Sequence, residues 1–186
     1  QLGIGIRADL VLETGDTQLV IEDPNFAGIN VNLAAGDDIG AQFDDLEITR
    51  GQELDEATLL QLWTAERGDI TVDGDTARVD QFDDVDVSVT GRLIALAGED
   101  LFIGSEDPLA LGLVEGGARV RVKGAEGLTG TDTLGLGANV TGTDIVLEGG
   151  AGAIGAPLEP VTVEQGTGGT FVARADGDDW QIGRGG

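Results

Sequence analysis

The chain has 186 residues, with 35 acids against ten bases and a net charge of −25. That balance excludes nucleic acid and anionic membrane surfaces as partners, because both require basic patches. It suits solubility in saline water, or a surface that attracts cations. Glycine occurs 32 times, proline four times, and 40% of residues are apolar, so the chain is not a disordered linker.

Aromatics make up only 4%, which calls for a core of small branched residues in shallow layers. Cysteine and histidine are both absent, removing disulfides, thiolate metal sites, the commonest metal ligand and the commonest general base. No apolar run approaches the roughly 18 residues of a membrane span. Gln1 opens the chain with no basic and apolar leader, which reads as a fragment or a processed product.

From Gln1 to Leu33 short alternating runs appear: Ile4-Gly5-Ile6, Leu10-Val11-Leu12, Leu19-Val20-Ile21 and Ile29 to Leu33. Turn residues separate them, as expected of short strands. Next comes Ile39-Gly40-Ala41-Gln42-Phe43-Asp44-Asp45-Leu46-Glu47-Ile48, and its pattern returns without a gap in Ile154-Gly155-Ala156-Pro157-Leu158-Glu159-Pro160-Val161-Thr162-Val163. A second echo follows each, Ala65 to Val72 against Ala175 to Ile182. The internal repeat copies therefore span about 36–72 and 151–182.

Ala41 and Ala65 are 24 steps apart, Ala156 and Ala175 only 19, so five extra residues lie in the first copy. They fall where Glu53-Leu54-Asp55-Glu56 precedes Leu59, Leu62 and Trp63 at helical spacing. A short helical insertion near 54–63 is expected, folded outside the regular architecture with Trp63 covering an apolar flank. A strand is the competing reading, since Leu62–Ala65 aligns with Val172–Ala175.

Past Gly68 strands are expected at Asp69–Asp73, Thr76–Asp80, Val85–Thr90, Arg92–Ala97, Asp100–Ile103, Leu109–Val114 and Ala118–Val122. Corner glycines 68, 91, 117, 142 and 168 recur at intervals of 23, 26, 25 and 26 residues. Three strands per interval fits an all-β chain folded as one parallel β-helix (β-solenoid) over 1–186, of roughly seven to nine coils and on the order of 40 Å long. Asp73-Gly74-Asp75 is the one good hairpin turn, and it suits a solenoid corner equally. Ile70 and Val72, Ile94 and Leu96, Val120 and Val122, and Ile145 and Leu147 are expected to point inward in columns. Arg119, Arg121 and Asp144 are expected to face solvent.

Taken in order, Gly-Asp-Asp-Ile-Gly with Leu-Glu-Ile, Leu-Asp-Glu-Ala-Thr-Leu-Leu-Gln-Leu, Gly-Asp-Ile-Thr-Val and Thr-Gly-Arg-Leu-Ile-Ala-Leu-Ala-Gly-Glu-Asp resemble the repeat region of filamentous haemagglutinin-type exoproteins of two-partner secretion. The second copy, Gly-Ala-Ile-Gly-Ala-Pro-Leu-Glu-Pro-Val-Thr-Val, is similar to the same repeat, and the resemblance spans most of Ala34 to Ile182. It implies a right-handed parallel β-helix, secreted to the surface of a Gram-negative bacterium and forming the shaft of an adhesin or giant surface protein. The implied partners are flanking repeats or end-to-end copies, and cell-surface or extracellular glycans. The acidity departs from a typical member and points to marine or saline surroundings.

Acid pairs supply calcium-ligand candidates at Asp73, Asp75, Asp83, Asp84 and Asp86, which would make the chain a calcium- or glycan-binding module on the same scaffold. Solvated acidic turns are the favoured reading, with no cofactor: the calcium repeat wants an aspartate where Gly149-Gly150-Ala151-Gly152-Ala153-Ile154 has isoleucine. Arg67-Gly68-Asp69 spells the integrin tripeptide but more simply starts a strand. Asn139-Val140-Thr141 is a glycosylation sequon. Arg119, Arg121 and Lys123 form the only basic stripe, with no acid cluster adjacent in sequence. Without histidine or cysteine most nucleophile-and-base schemes fail, so no enzyme is expected; a β-helix polysaccharide lyase or hydrolase ranks last.

Overall fold

The computed structural model describes residues 12–13, 16–17, 24–42, 46–53, 55, 66–131, 133, 135, 137–176 and 182–184. All regular structure among them is β, and none is helical. The expected helix at 54–63, with its Trp63 lid, and the expected strands at Ile4–Ile6 and Leu19–Ile21 lie outside the described residues.

Strands β1 (Leu12–Glu13) and β2 (Asp16–Thr17) form a small antiparallel pair. Then β3 (Phe26–Gly28) and β4 (Val31–Ala35) enter two different parallel sheets. Residues 41–83 leave both sheets and build an antiparallel one: β5 (Ala41–Gln42), β6 (Leu46–Thr49), β7 (Glu66–Asp73) and β8 (Thr76–Asp83), all paired to β8. The expectation of a single parallel architecture is corrected here. Asp73-Gly74-Asp75 is a true hairpin turn, with Gly74 at φ 60°, and it reverses the chain so that β7 and β8 pair with each other first. Val72 is consequently 69% exposed instead of filling an inward column.

From β9 (Val85–Val89) onward the chain alternates between the sheets. It continues through β10 (Leu93–Ala97), β11 (Leu101–Ser105), β12 (Leu109–Gly116), β13 (Arg119–Gly124), β14 (Leu128–Gly130), β15 (Val140–Gly142), β16 (Asp144–Glu148), β17 (Val161–Gln165), β18 (Phe171–Arg174) and β19 (Ile182–Arg184). Sheet one orders β4-β10-β12-β15-β17-β19, with β14 alongside β12; sheet two orders β3-β9-β11-β13-β16-β18. Every neighbouring pair in both is parallel.

Each passage around therefore adds one strand to each sheet, apart from the short β14, where three were expected. Six successive strands in sheet two rise about 24 Å at the usual 4.8 Å spacing, well short of the expected rod. Ile103 pairs with Val85, 18 residues earlier, whereas Phe171 pairs with Ile145, 26 residues earlier. The late passages carry longer connections at 131–139 and 149–160.

Inward side chains stack across registers. Val85, Ile103, Val122 and Leu147 make one column, and Leu101, Val120 and Ile145 another; all are buried in a single cluster with Leu93, Ala95, Leu111 and Val140. Each such burial contributes about 1.5–3 kcal/mol. The expected pairs Val120/Val122 and Ile145/Leu147 do point inward. Ile94 and Leu96 do not: Leu93, Ala95 and Ala97 are the inward set, and Leu96 is 37% exposed. Leu93-Ile94-Ala95-Leu96-Ala97 is apolar at every position, so its phase is chosen by the Leu33–Ala95–Val114 register and not by alternation.

Backbone stacking explains much of the glycine. A Cβ on Gly98 would collide with the Gly36 carbonyl oxygen, and one on Gly117 with that of Gly98. Gly68, expected at a corner, instead lies within β7. Acids also cap the corners. Asp38 Oδ1 accepts the Asp100 N–H at 2.8 Å, and Asp100 Oδ1 accepts the Arg119 N–H at 3.0 Å. In the later strands Asp144 Oδ1 accepts both the Thr170 N–H and the Thr170 hydroxyl at 2.8 Å.

The repeat is half structural. Ile39 and Ile154 both make isolated parallel bridges, to Leu101 and Leu128, and each precedes a positive-φ glycine (Gly40 at 83°, Gly155 at 79°). Thereafter the copies diverge, Leu46–Thr49 pairing antiparallel to β8 and Val161–Gln165 sitting between β15 and β19.

Candidate functional site

Alternation in β13 places Val120 and Val122 inward and Arg119, Arg121 and Lys123 on the outer face of sheet two. The antiparallel sheet docks on that face. Phe82, at the end of β8, is 1% exposed and stacks on Phe102 with ring centroids 5.6 Å apart and planes 16° from parallel. Arg121 Cζ sits 3.7 Å from the Phe82 ring centre. Arg119 donates a hydrogen bond to Gln42 Oε1 of β5 and pairs with Asp100 at 3.2 Å.

Arg121 was expected in solvent; with Phe82 over it, the residue is only 8% exposed. Its Nη2 lies 2.6 Å from Glu148 Oε2, and the other Glu148 oxygen lies 3.5 Å from Arg174 Nη1. One carboxylate thus serves two guanidinium groups. Register makes this row: Lys123 is the Cα partner of Glu148, and Glu148 of Arg174, on three successive strands. Between them and Asp176 lies a groove of about 280 Å³. It gathers Arg121, Lys123 and Arg174 against two acids, Glu148 and Asp176.

In sequence the basic stripe has no acids beside it; folding supplies them from β16 and from the residues after β18. Motif and charge patterning do not single out Glu148, Arg174, Asp176 or Phe82. A signal was present: Lys123, Glu148 and Arg174 are spaced by 25 and 26 residues, the same intervals as glycines 117, 142 and 168.

The five calcium candidates divide. Asp73 and Asp75 flank the hairpin tip, where Asp75 lies 4.0 Å from exposed Arg50. Asp83 pairs across from Ala41 in the antiparallel sheet. Asp84 and Asp86 do come together: a Cβ built on Gly104 would lie 2.4 Å from Asp84 Oδ2 and 3.1 Å from Asp86 Oδ1. Calcium takes six to eight oxygens, and among the described residues no group of three or more acids is placed to hold a metal.

Two sequence motifs are also placed. Gly68 and Asp69 lie at a register break in β7, between Arg67 and Ile70. Asn139 of the sequon is 2% exposed, and its side-chain amide donates to the Leu111, Gly112 and Thr131 carbonyl oxygens at 2.8, 3.1 and 2.8 Å. It also accepts from the Thr162 N–H and hydroxyl. In the folded chain this asparagine is a structural strut inside a corner and inaccessible to a glycosylating enzyme.

No family model matches the chain, and comparison with curated proteins and with solved structures finds no match.

Proposed function

We propose that the chain is a segment of a right-handed parallel β-solenoid, a non-catalytic structural stretch in the shaft of a filamentous haemagglutinin-type surface exoprotein. The observation that carries the reading is the strand order. After β9 the chain visits two parallel sheets in turn, and each sheet arranges its strands in chain order.

A strand then contacts chiefly its neighbours one passage before and after, which is the quasi-one-dimensional logic of a repeat rod. Right-handedness follows from the strong chiral preference of parallel crossovers. Antiparallel strands 41–83 are an elaboration carried on its flank. Flanking repeats or end-to-end copies are the natural partners of such a rod, and a Gram-negative cell surface is its place.

The test is immunogold labelling of intact cells of the source organism with antibody to the chain. Label strung along surface filaments is the expected result. Label confined to the cytoplasm of permeabilised cells would overturn the reading. A second reading, a glycan-binding module on the same scaffold, draws support from one feature, the cation-lined groove on sheet two.

A further inference from the structure

We propose that the groove bordered by Arg121, Lys123 and Arg174 is a subsite for the carboxylate of a sugar acid, taken singly or within a linear polyuronate. The chain carries ten bases in 186 residues, and three of them line this one groove. Against Glu148 and Asp176 they leave the groove one positive charge in excess, on a molecule of net charge −25. At physiological salt charges are screened beyond about 8 Å, so a ligand in the groove feels these side chains more than the distant acids.

The arrangement is held in advance of any ligand. Phe82 covers one face of the Arg121 guanidinium, and Glu148 fixes its edge. Lys123 and Arg174 stand two strands apart, about 10 Å at the usual strand spacing. Planar guanidinium forks match carboxylates, which they can grip with two hydrogen bonds. A volume of about 280 Å³ lies at the small end of ligand sites, with room for one sugar-sized unit. Nucleic acid fits less well, because no aromatic side chain lines the groove to stack a base.

The experiment titrates the full chain by calorimetry, at low and physiological salt, with three probes: oligogalacturonate, a neutral maltooligosaccharide of equal length, and oligothymidylate. The variant Lys123→Gln/Arg174→Gln removes two charges from the groove. A control, Arg50→Gln/Arg78→Gln, removes the same charge from exposed positions on the antiparallel sheet. Oligogalacturonate is expected to bind with salt-sensitive affinity, to weaken at least about tenfold in the groove variant, and to change less than about twofold in the control.

Absence of oligogalacturonate binding at low salt would overturn the proposal. So would equal binding of the neutral sugar, tighter binding of oligothymidylate, or equal losses in the two variants. If the groove variant loses its β-type circular dichroism, Lys123→Gln alone carries the comparison.

Discussion

Arg121 is clamped between Phe82 and Glu148: its Cζ lies 3.7 Å from the ring centre, and its Nη2 lies 2.6 Å from the carboxylate. Phe82 belongs to the antiparallel sheet and Glu148 to the parallel one, so a single cation joins the two. Stacking of Phe82 on Phe102 seals the same junction.

Truncating that ring should loosen the docking. Phe82→Ala removes a 1%-exposed side chain, the stack and the cation's cover, and should destabilise the chain by about 3–5 kcal/mol. Urea unfolding followed by circular dichroism measures it. A loss below about 1 kcal/mol would show that the junction contributes little.

Glu148 and Arg174 should differ sharply despite sharing an ion pair. Glu148→Gln leaves the Arg121 guanidinium buried without its carboxylate, which should cost about 3–5 kcal/mol, the usual consequence of stranding a buried charge. The Arg174 side chain is 45% exposed and its contact is longer, so Arg174→Gln should cost below about 1 kcal/mol. Comparing the two variants' urea midpoints checks the order, and equal losses would contradict it.

Asn139→Ala should be costly for a small change. It takes donors from three carbonyl oxygens and an acceptor from Thr162, and orphaned buried polar groups cost about 1–3 kcal/mol each. Asn139→Asp keeps the size but loses the amide donors and should be no better. Thermal unfolding of both variants, with the β-spectrum as readout, decides it.

Acid should destabilise the chain partly through Asp144. The hydroxyl of Thr170 and then its backbone N–H bond to the charged carboxylate and hold its pKa below the ordinary value of 3.8; burial opposes this, and Arg119 adds a smaller favourable pull. A carboxylate with a lowered folded-state pKa contributes stability above its unfolded pKa and loses it as pH falls through the folded one. The melting temperature should therefore fall below about pH 4, and Asp144→Asn should make that part of the decline shallower. Parallel acid melting curves of the variant and the wild type would count against the bond.

Much of the strand map was legible in sequence because period-two alternation and turn residues are local. Val85, Val87 and Val89 alternate with polar residues, and Thr90-Gly91 ends the run, so β9 could be read directly. The columns at Val120/Val122 and Ile145/Leu147 were legible for the same reason, since charged neighbours mark the outward positions.

The remaining features depended on partners. Leu93 to Ala97 is uniformly apolar, so only pairing with Leu33 and Val114 selects its inward face. Ile39-Gly40-Ala41 and Ile154-Gly155-Ala156 share a bridge and a positive-φ glycine, yet Leu46–Thr49 pairs antiparallel and Val161–Gln165 parallel. A strand's sequence specifies an edge of donors and acceptors but not which edge meets it. The groove obeys the same rule. Lys123, Glu148 and Arg174 are distant in sequence and polar in ordinary ways, and parallel register alone, through passages of 25 and 26 residues, brings them into one row.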